Sequence, residues 1–314
     1  MKCSVLLPVY NGASTLRQAI ESVLAQTVGD FEFLVIDDKS KDDSAGIIRD
    51  YMRRDARIRA IFHEENQGLA RTLNEGLDRS RCELVVRMDQ DDECLPDRIR
   101  LQLRYMGVRP DVAAAGSHVY HMAKHQKFDH CVRVPVEHDE IMKVLPSWNC
   151  MYHPATILRK AAVLEVGGYR ADFKNAEDYD LWLRLVGKYR LGNLDVPLLR
   201  YRFSIDGMTL SKKWQQFLYH NMAMMSYSQP GLSREELELA ARDRIESIGK
   251  EEFFEGVARG TIQELAQLRL WTDAFKVYLQ FAGHLTPARS GKLLGHLSRS
   301  LYESLRNGSH TEPL

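Results

Sequence analysis

Long apolar runs are missing from this sequence: no stretch approaches the roughly 20 residues needed to cross a bilayer, so a soluble or peripheral protein is expected. Cysteine is sparse. Cys3, Cys82, Cys94, Cys131 and Cys150 stand far apart, odd in number and without a CxxC pair. That argues against a disulfide framework and a zinc site, and fits a reducing cytoplasm. The opening MKCSVLLPVYNG has a short apolar run that breaks at Pro8 and no small-residue cleavage site, so no signal peptide is expected. Excess charge of either sign is absent as well. With 43 basic and 43 acidic side chains and no basic stripe, nothing favours nucleic acid or an acidic polymer as partner. GxGxxG, GxxxxGK[ST] and GxSxG do not occur, which argues against dinucleotide oxidoreductases, P-loop enzymes and serine hydrolases. Internal repeats and low-complexity tracts are lacking too.

What is present is a chain of 314 residues, 44% hydrophobic, enough for a substantial core and about two domains. Over the first hundred residues, apolar runs alternate with helical patterns, as a parallel sheet with crossover helices requires. CSVLLPV (3–9), FEFLVID (31–37), IRAIFH (58–63) and ELVVRM (83–88) read as buried strands. Between them TLRQAIESVLAQ, SAGIIRDYMRR and LARTLNEGLDRS space apolar residues three and four apart, one face each for the sheet. The unit is Rossmann-like, and ligands in such sheets collect at the carboxyl ends of the strands. From about 111 a second layer is expected, with SHVYHM read as a strand, which parts His118 from His121 and His125 and removes them as a metal set. DYDLWLRLVGKY (178–189) reads as an amphipathic helix burying Tyr179, Leu181, Trp182, Leu185 and Val186, with an Asp180–Arg184 pair and Asn175 as N-cap. After 203 the chain reads as mostly helical, broken near Ser228, Pro230 and Gly231.

The chemistry is concentrated after the fourth strand, where VVRMDQDDECLPDRIRL sets Asp89, Asp91, Asp92 and Glu93 together. If that strand runs on to 91, Asp89 and Asp91 share one side while Gln90 turns away. Two such carboxylates suit magnesium or manganese, with phosphates and waters completing the shell. The plainer reading makes Asp92 and Glu93 acidic residues of a helix start at Pro96. VIDDKSKDDS places Asp37 and Asp38 where a nucleotide-binding fold offers an acid to a ribose or base; an Asx turn is the alternative, more natural for Asp42 or Asp43. In PVYN, Tyr10 and Asn11 could stack on and hydrogen-bond a base, or Asn11 and Gly12 could simply turn the chain.

Taken in order, SVLLPVYNGASTLRQAIESVLAQTVGDFEFLVIDDKSKDDS, NQGLARTLNEGL, RMDQDDECLPDR, HPATILRKAAVLEVGGY and AEDYDLWLRL resemble glycosyltransferase family 2, inverting enzymes of the GT-A fold. The similarity covers roughly residues 1–205. It implies an α/β fold, GT-A, with a Rossmann-like, mostly parallel central sheet flanked by helices and a C-terminal helical extension. The implied organisation is a nucleotide-sugar-binding half over 1–110, an acceptor and catalytic-base half of the same domain over 111–205, and a helical region over 206–314. By the resemblance Pro8, Val9, Tyr10 and Asn11 line the nucleoside pocket, and Asp38 meets the base with Asp37 as second candidate. DQDD resembles the DxD motif: Asp89 near the ribose and, with Asp91, on a divalent metal, Mn2+ or Mg2+; Asp92 is a further candidate. AEDYD resembles the ED motif, whose aspartate is the catalytic base, here Asp178. The QxxRW signature and membrane spans of the processive synthases are absent, so single addition is expected.

The implied reaction is a metal-dependent, inverting transfer from a nucleotide-sugar donor, a UDP-sugar by preference, to a hydroxyl of a glycan or lipid-linked acceptor, in surface polysaccharide or glycoconjugate biosynthesis. Helix capping by Asn175, Glu177 and Asp178 is the structural alternative for the last of these. A catalytically inactive donor-binding or scaffolding subunit is the alternative for the whole chain, and a nucleotidyltransferase is disfavoured by the lack of an early glycine-rich loop. Arg71 is a donor contact or a solvated helix arginine, and His153 an acceptor contact or a structural histidine. Near the end, Leu293, Leu297, Leu301 and Leu305 recur every four residues among Arg289, Lys292, Arg299 and Arg306. That pattern packs on protein, on another copy in a homo-oligomer, or on the inner face of an anionic membrane.

Overall fold

The computed structural model describes residues 1–123, 126–202, 210–267 and 271–307. Its first half alternates as the apolar pattern requires: β1 (Ser4–Val9), α1 (Leu16–Leu24), β2 (Glu32–Asp37), α2 (Ser44–Arg54), β3 (Ile58–Phe62), α3 (Leu69–Arg79) and β4 (Leu84–Arg87). Every residue of β1 and β2 is buried, as expected of parallel strands covered on both faces. Leu16, Ala19, Ile20 and Val23 of α1 pack into the same core as Val5, Leu7, Phe33 and Val35. Helix α3 lies so close to β1 that a Cβ on Gly76 would stand 2.3 Å from a methyl of Leu6. Glycine is needed there for space rather than for conformation.

The chain continues through β5 (Glu93–Cys94), α4 (Arg98–Val108), β6 (Val112–Ala123), β7 (Gln126–Val132), α5 (His138–Val144), β8 (Ile157–Arg159), α6 (Lys160–Glu165), α7 (Glu177–Leu185) and β9 (Arg190–Arg202). The second layer expected from about 111 does not form. Instead β8 pairs antiparallel with β4 and with β6, and β6 pairs parallel with β9, so both halves build one sheet ordered β3-β2-β1-β4-β8-β6-β9-β5, with β7 on β6. The fold is mixed α/β with a mostly parallel sheet, and the carboxyl ends of β1, β2 and β4 lie side by side.

Helices complete the chain: α8 (Leu210–Ser228), α9 (Arg234–Ile248), α10 (Lys250–Gln267), α11 (Trp271–Ala282) and α12 (Pro287–Asn307). The break at Ser228–Gly231 is present, and α9 opens with a Ser233–Glu236 capping box. Two compact units result, Met1–Phe203 with Tyr219–Leu232, and Ser204–Leu218 with Ser233–Leu314. The division expected at 205/206 falls within 203–209, outside the described residues. In the leucine series of α12, Leu293 and Leu297 are buried while Leu301 is exposed; the side chain of Leu305 lies outside the described set. So the first half of the stripe packs on protein and is not offered to a membrane. Among the described residues no helix is long and apolar enough to cross one.

Candidate active site

Strand β4 ends at Arg87, so Asp89 and Asp91 are not successive residues on one face of a strand. A turn brings them together instead and adds Asp92: one carboxylate oxygen from each of the three lies within 4.8 Å of the others. The helix-start reading of Asp92 and Glu93 is not realised, since Glu93 is in β5 and α4 begins only at Arg98. Gln90 does turn away, and it has a use there. It accepts from the Tyr10 N–H at 2.8 Å and donates to the Tyr10 carbonyl at 3.0 Å, clamping the end of β1 to the acidic turn.

Two distant arginines hold this turn from behind and beside. Arg98, fully buried, donates to the Arg87 carbonyl at 2.6 Å and the Thr156 carbonyl at 3.3 Å, tying the end of β4 to the segment before β8. Arg202, at the end of β9, gives its backbone N–H to Asp92 Oδ1 at 2.7 Å and its Nε to the Asp91 carbonyl at 2.7 Å. The other oxygen of Asp92 is buried without a hydrogen-bond partner. Burial and the neighbouring Asp89 charge push Asp91 up to about 6. Burial, with Asp91 and Asp89 beside it, holds Asp92 well above the usual carboxylate range. Carboxyl groups are therefore crowded and partly desolvated here, even though buried Arg87 ion-pairs with Asp89.

Next to this turn are the ends of β1 and β2. Pro8 and Val9 are buried within β1, whereas Tyr10 exposes its ring. Asn11 adopts φ 53°, donates its N–H to Ser40 Oγ at 2.9 Å and accepts from the Lys41 N–H at 2.8 Å, so it serves the turn reading. Asp42 forms the Asx-type contact, accepting from Ser44 N–H at 3.0 Å. Asp37 and Asp38 are both buried but differently engaged. Asp38 accepts from the Gln67 and Gly68 N–H groups at 2.7 and 2.8 Å and meets His63 Nδ1 at 2.7 Å. Asp37 Oδ1 is buried with no partner. His63, which the pattern reading passed over, bridges Asp38 and Glu75, and those two carboxylates outweigh its burial and raise it. Its signal was its place directly after an apolar strand. Arg71 is solvent-exposed on the first turn of α3.

Further along the chain α7 starts at Glu177, with Ala176 rather than Asn175 at the N-cap; Asn175 takes φ 62°. Of the expected apolar face, Tyr179, Leu181, Trp182 and Leu185 are buried while Val186 is half-buried at the C-cap, because the helix ends at Leu185 and not at 189; Arg184 pairs with Asp180 at 2.7 Å. Asp178 is half-buried, and its Oδ2 accepts from Asn149 Nδ2 at 2.9 Å. Glu177 is buried, and burial plus the Asp178 charge push it up to about 7. His153 is buried against Tyr169, its Nε2 2.8 Å from the phenol oxygen, which is the structural role. Burial raises the Tyr169 phenol, and the charges of Arg87, Asp178, Glu177 and Asp89 all bear on it. His118 and His121 both lie in β6, and His125 is outside the described residues.

A Rossmann-like, mostly parallel sheet flanked by helices, with an acidic cluster beyond the end of β4, is the α/β architecture of the GT-A fold. The sequence model of "Glycosyl transferase family 2" matches residues 4–167, and the chain belongs to that family. It is accordingly a glycosyltransferase. Over 214 residues it is 30% identical to the amylovoran biosynthesis glycosyltransferase AmsE of Erwinia amylovora, covering 67% of this chain and 80% of that one. It is 32% identical over 203 residues to the O-antigen biosynthesis glycosyltransferase WbnJ of Escherichia coli, covering 63% and 78%. Among solved structures, TarS 1–349 of S. aureus superposes with a TM-score of 0.60 at 18% identity, covering 98% of this chain and 92% of that one. The mannosyltransferase PcManGT of Pyrobaculum calidifontis, in complex with GDP-Man and Mn2+, gives 0.59 at 16%, covering 98% and 82%. At those identities the likeness is one of fold.

Proposed function

We propose that this glycosyltransferase moves a sugar, with inversion, from a nucleoside-diphosphate sugar to a hydroxyl of a glycan or lipid-linked acceptor during surface polysaccharide or glycoconjugate assembly. The observation that carries the reading is the convergence of Asp89, Asp91 and Asp92, with an unpartnered buried oxygen on Asp92 and two raised carboxyls. All three donors are hard oxygens, the set that suits Mn2+ or Mg2+. Asp91 and Asp89 would hold such an ion, with Asp92 beside them, and it would supply Lewis-acid compensation for charge on a departing diphosphate.

The chain's own residues do the rest. Asp178 takes the proton from the attacking acceptor hydroxyl, and Asn149 keeps its Oδ2 aimed. Asp38, made rigid by Gln67, Gly68 and His63, and Asp37, with its unpartnered oxygen, offer acceptors to the N–H groups of the base. Tyr10 offers an exposed ring beside them. A UDP-sugar is the preferred donor; the relatives' names in amylovoran and O-antigen biosynthesis support a polysaccharide context.

The test is a panel of nucleotide sugars screened by thermal shift with and without Mn2+, followed by assay of nucleoside diphosphate release. A ligand at 100 times its dissociation constant stabilises by about 2.7 kcal/mol, readily seen. Donor-specific stabilisation with no metal-dependent release, acceptor present or absent, would assign the chain to a binding or scaffolding role instead.

A further inference from the structure

The acidic turn contains its own cation. Arg87 is 2% exposed, ion-pairs with Asp89, and is anchored through its carbonyl by the equally buried Arg98. Its Nε–H has no hydrogen-bond partner among the described residues, so the contact with Asp89 is what holds the guanidinium. Its charge bears on Asp91 and Asp92 on one side and on Glu177 and Tyr169 on the other. Three carboxylates this close would otherwise repel one another strongly, and they would also hold a free divalent ion strongly. Arginine suits this position: its guanidinium is weakly hydrated, always charged, and tolerates burial beside a carboxylate better than an ammonium does.

Resting on the reading of the triad given above, we propose that Arg87 is a positioning residue. It is a resident counter-cation that fixes Asp89 and lowers the cluster's net charge, so that a divalent ion binds well only when a nucleoside diphosphate supplies further oxygens. The metal and the donor then arrive as one unit, and the empty enzyme does not fill its cleft with metal alone. Loss of a merely structural arginine would loosen the carboxylates and weaken metal binding rather than tighten it.

Mn2+ titrations followed by the electron paramagnetic resonance of free Mn2+ test this, with and without UDP or GDP, on wild type, Arg87→Met and Arg87→Lys. In wild type the nucleotide tightens Mn2+ by about tenfold or more; Arg87→Met binds Mn2+ alone about tenfold tighter than wild type; Arg87→Lys, which keeps the charge, stays close to wild type. An Arg87→Met protein that is folded by circular dichroism yet binds Mn2+ alone no tighter than wild type overturns the proposal. Should that variant fail to fold, Arg87→Gln, which also removes the charge, is judged by the same criterion, and in wild type Mn2+ held equally well with and without nucleotide overturns the proposal. Wild type that binds no Mn2+ under any of these conditions sinks the metal reading of the triad itself, a separate result.

Discussion

Replacing Asp178 by asparagine removes one charge and one proton acceptor at almost constant volume. Asn149 donates to Asp178 Oδ2 at 2.9 Å, and an asparagine at 178 can turn its own carbonyl oxygen to the same donor. The loop carrying Asn149 and the first turn of α7 should therefore keep their contact. If Asp178 is the base, turnover falls by about 10² to 10⁴, the usual worth of general base assistance. In barrier height that is about 3 to 5 kcal/mol. Affinity for the nucleoside diphosphate should stay within about twofold, because no donor contact is assigned to this side chain. A second signature comes from Glu177, whose carboxyl is pushed up to about 7 by burial and then by Asp178. Removing the neighbouring charge moves Glu177 down, so the Glu177 carboxyl, followed by NMR across a pH series, should titrate lower than in wild type. Initial rates at saturating donor and acceptor across the same pH series, with calorimetric binding of the diphosphate, measure the other two. Near-normal turnover with the true acceptor, or equal losses in turnover and donor affinity, would refute the assignment.

Asp91→Asn is expected to weaken Mn2+ and donor binding together, by about tenfold or more each, with calorimetry of each ligand alone and combined as the check. Glu177→Gln isolates a pH effect. The folded-state value near 7 exceeds the ordinary 4.5, so the native protein holds the extra proton, and this group's contribution is full below about 4.5 and lost as pH rises toward 7. Relative to wild type, Glu177→Gln should gain up to about 3 kcal/mol between pH 4.5 and pH 8 in urea unfolding. A stability difference flat with pH would show that Glu177 titrates normally. In the helical region, Leu293→Ala empties a fully buried site and should cost about 2 to 5 kcal/mol, while salt-sensitive vesicle co-sedimentation through this leucine is not expected.

Much of the fold could be read from local periodicity. All four early strands and the three helices between them lie within a residue or two of where apolar spacing puts them, and α2 matches at both ends. The Asp180–Arg184 pair is equally local, one helical turn apart. The acidic turn was legible as a composition, but its geometry was not: Asp89 and Asp91 converge because the chain turns after Arg87, not because a strand continues. Asn175 was a reasonable cap by type, yet the backbone places Ala176 there.

Residue order alone determined which segments would be strands and helices and that carboxylates would gather at strand ends, because those properties depend on neighbours within one or two turns. Tertiary structure decided which groups answer those carboxylates. Arg202 reaches Asp92 from 110 positions away, Gln90 reaches Tyr10 across 80, and Asn149 reaches Asp178 across 29. The first two contacts follow from the pairing of β5 with β9 and of β1 with β4, and strand order is set by burial of the whole sheet rather than by any local pattern. The charge state of Asp91, Asp92 and Glu177 belongs to the same level, since it is burial and a neighbouring like charge, neither visible in sequence, that shift them.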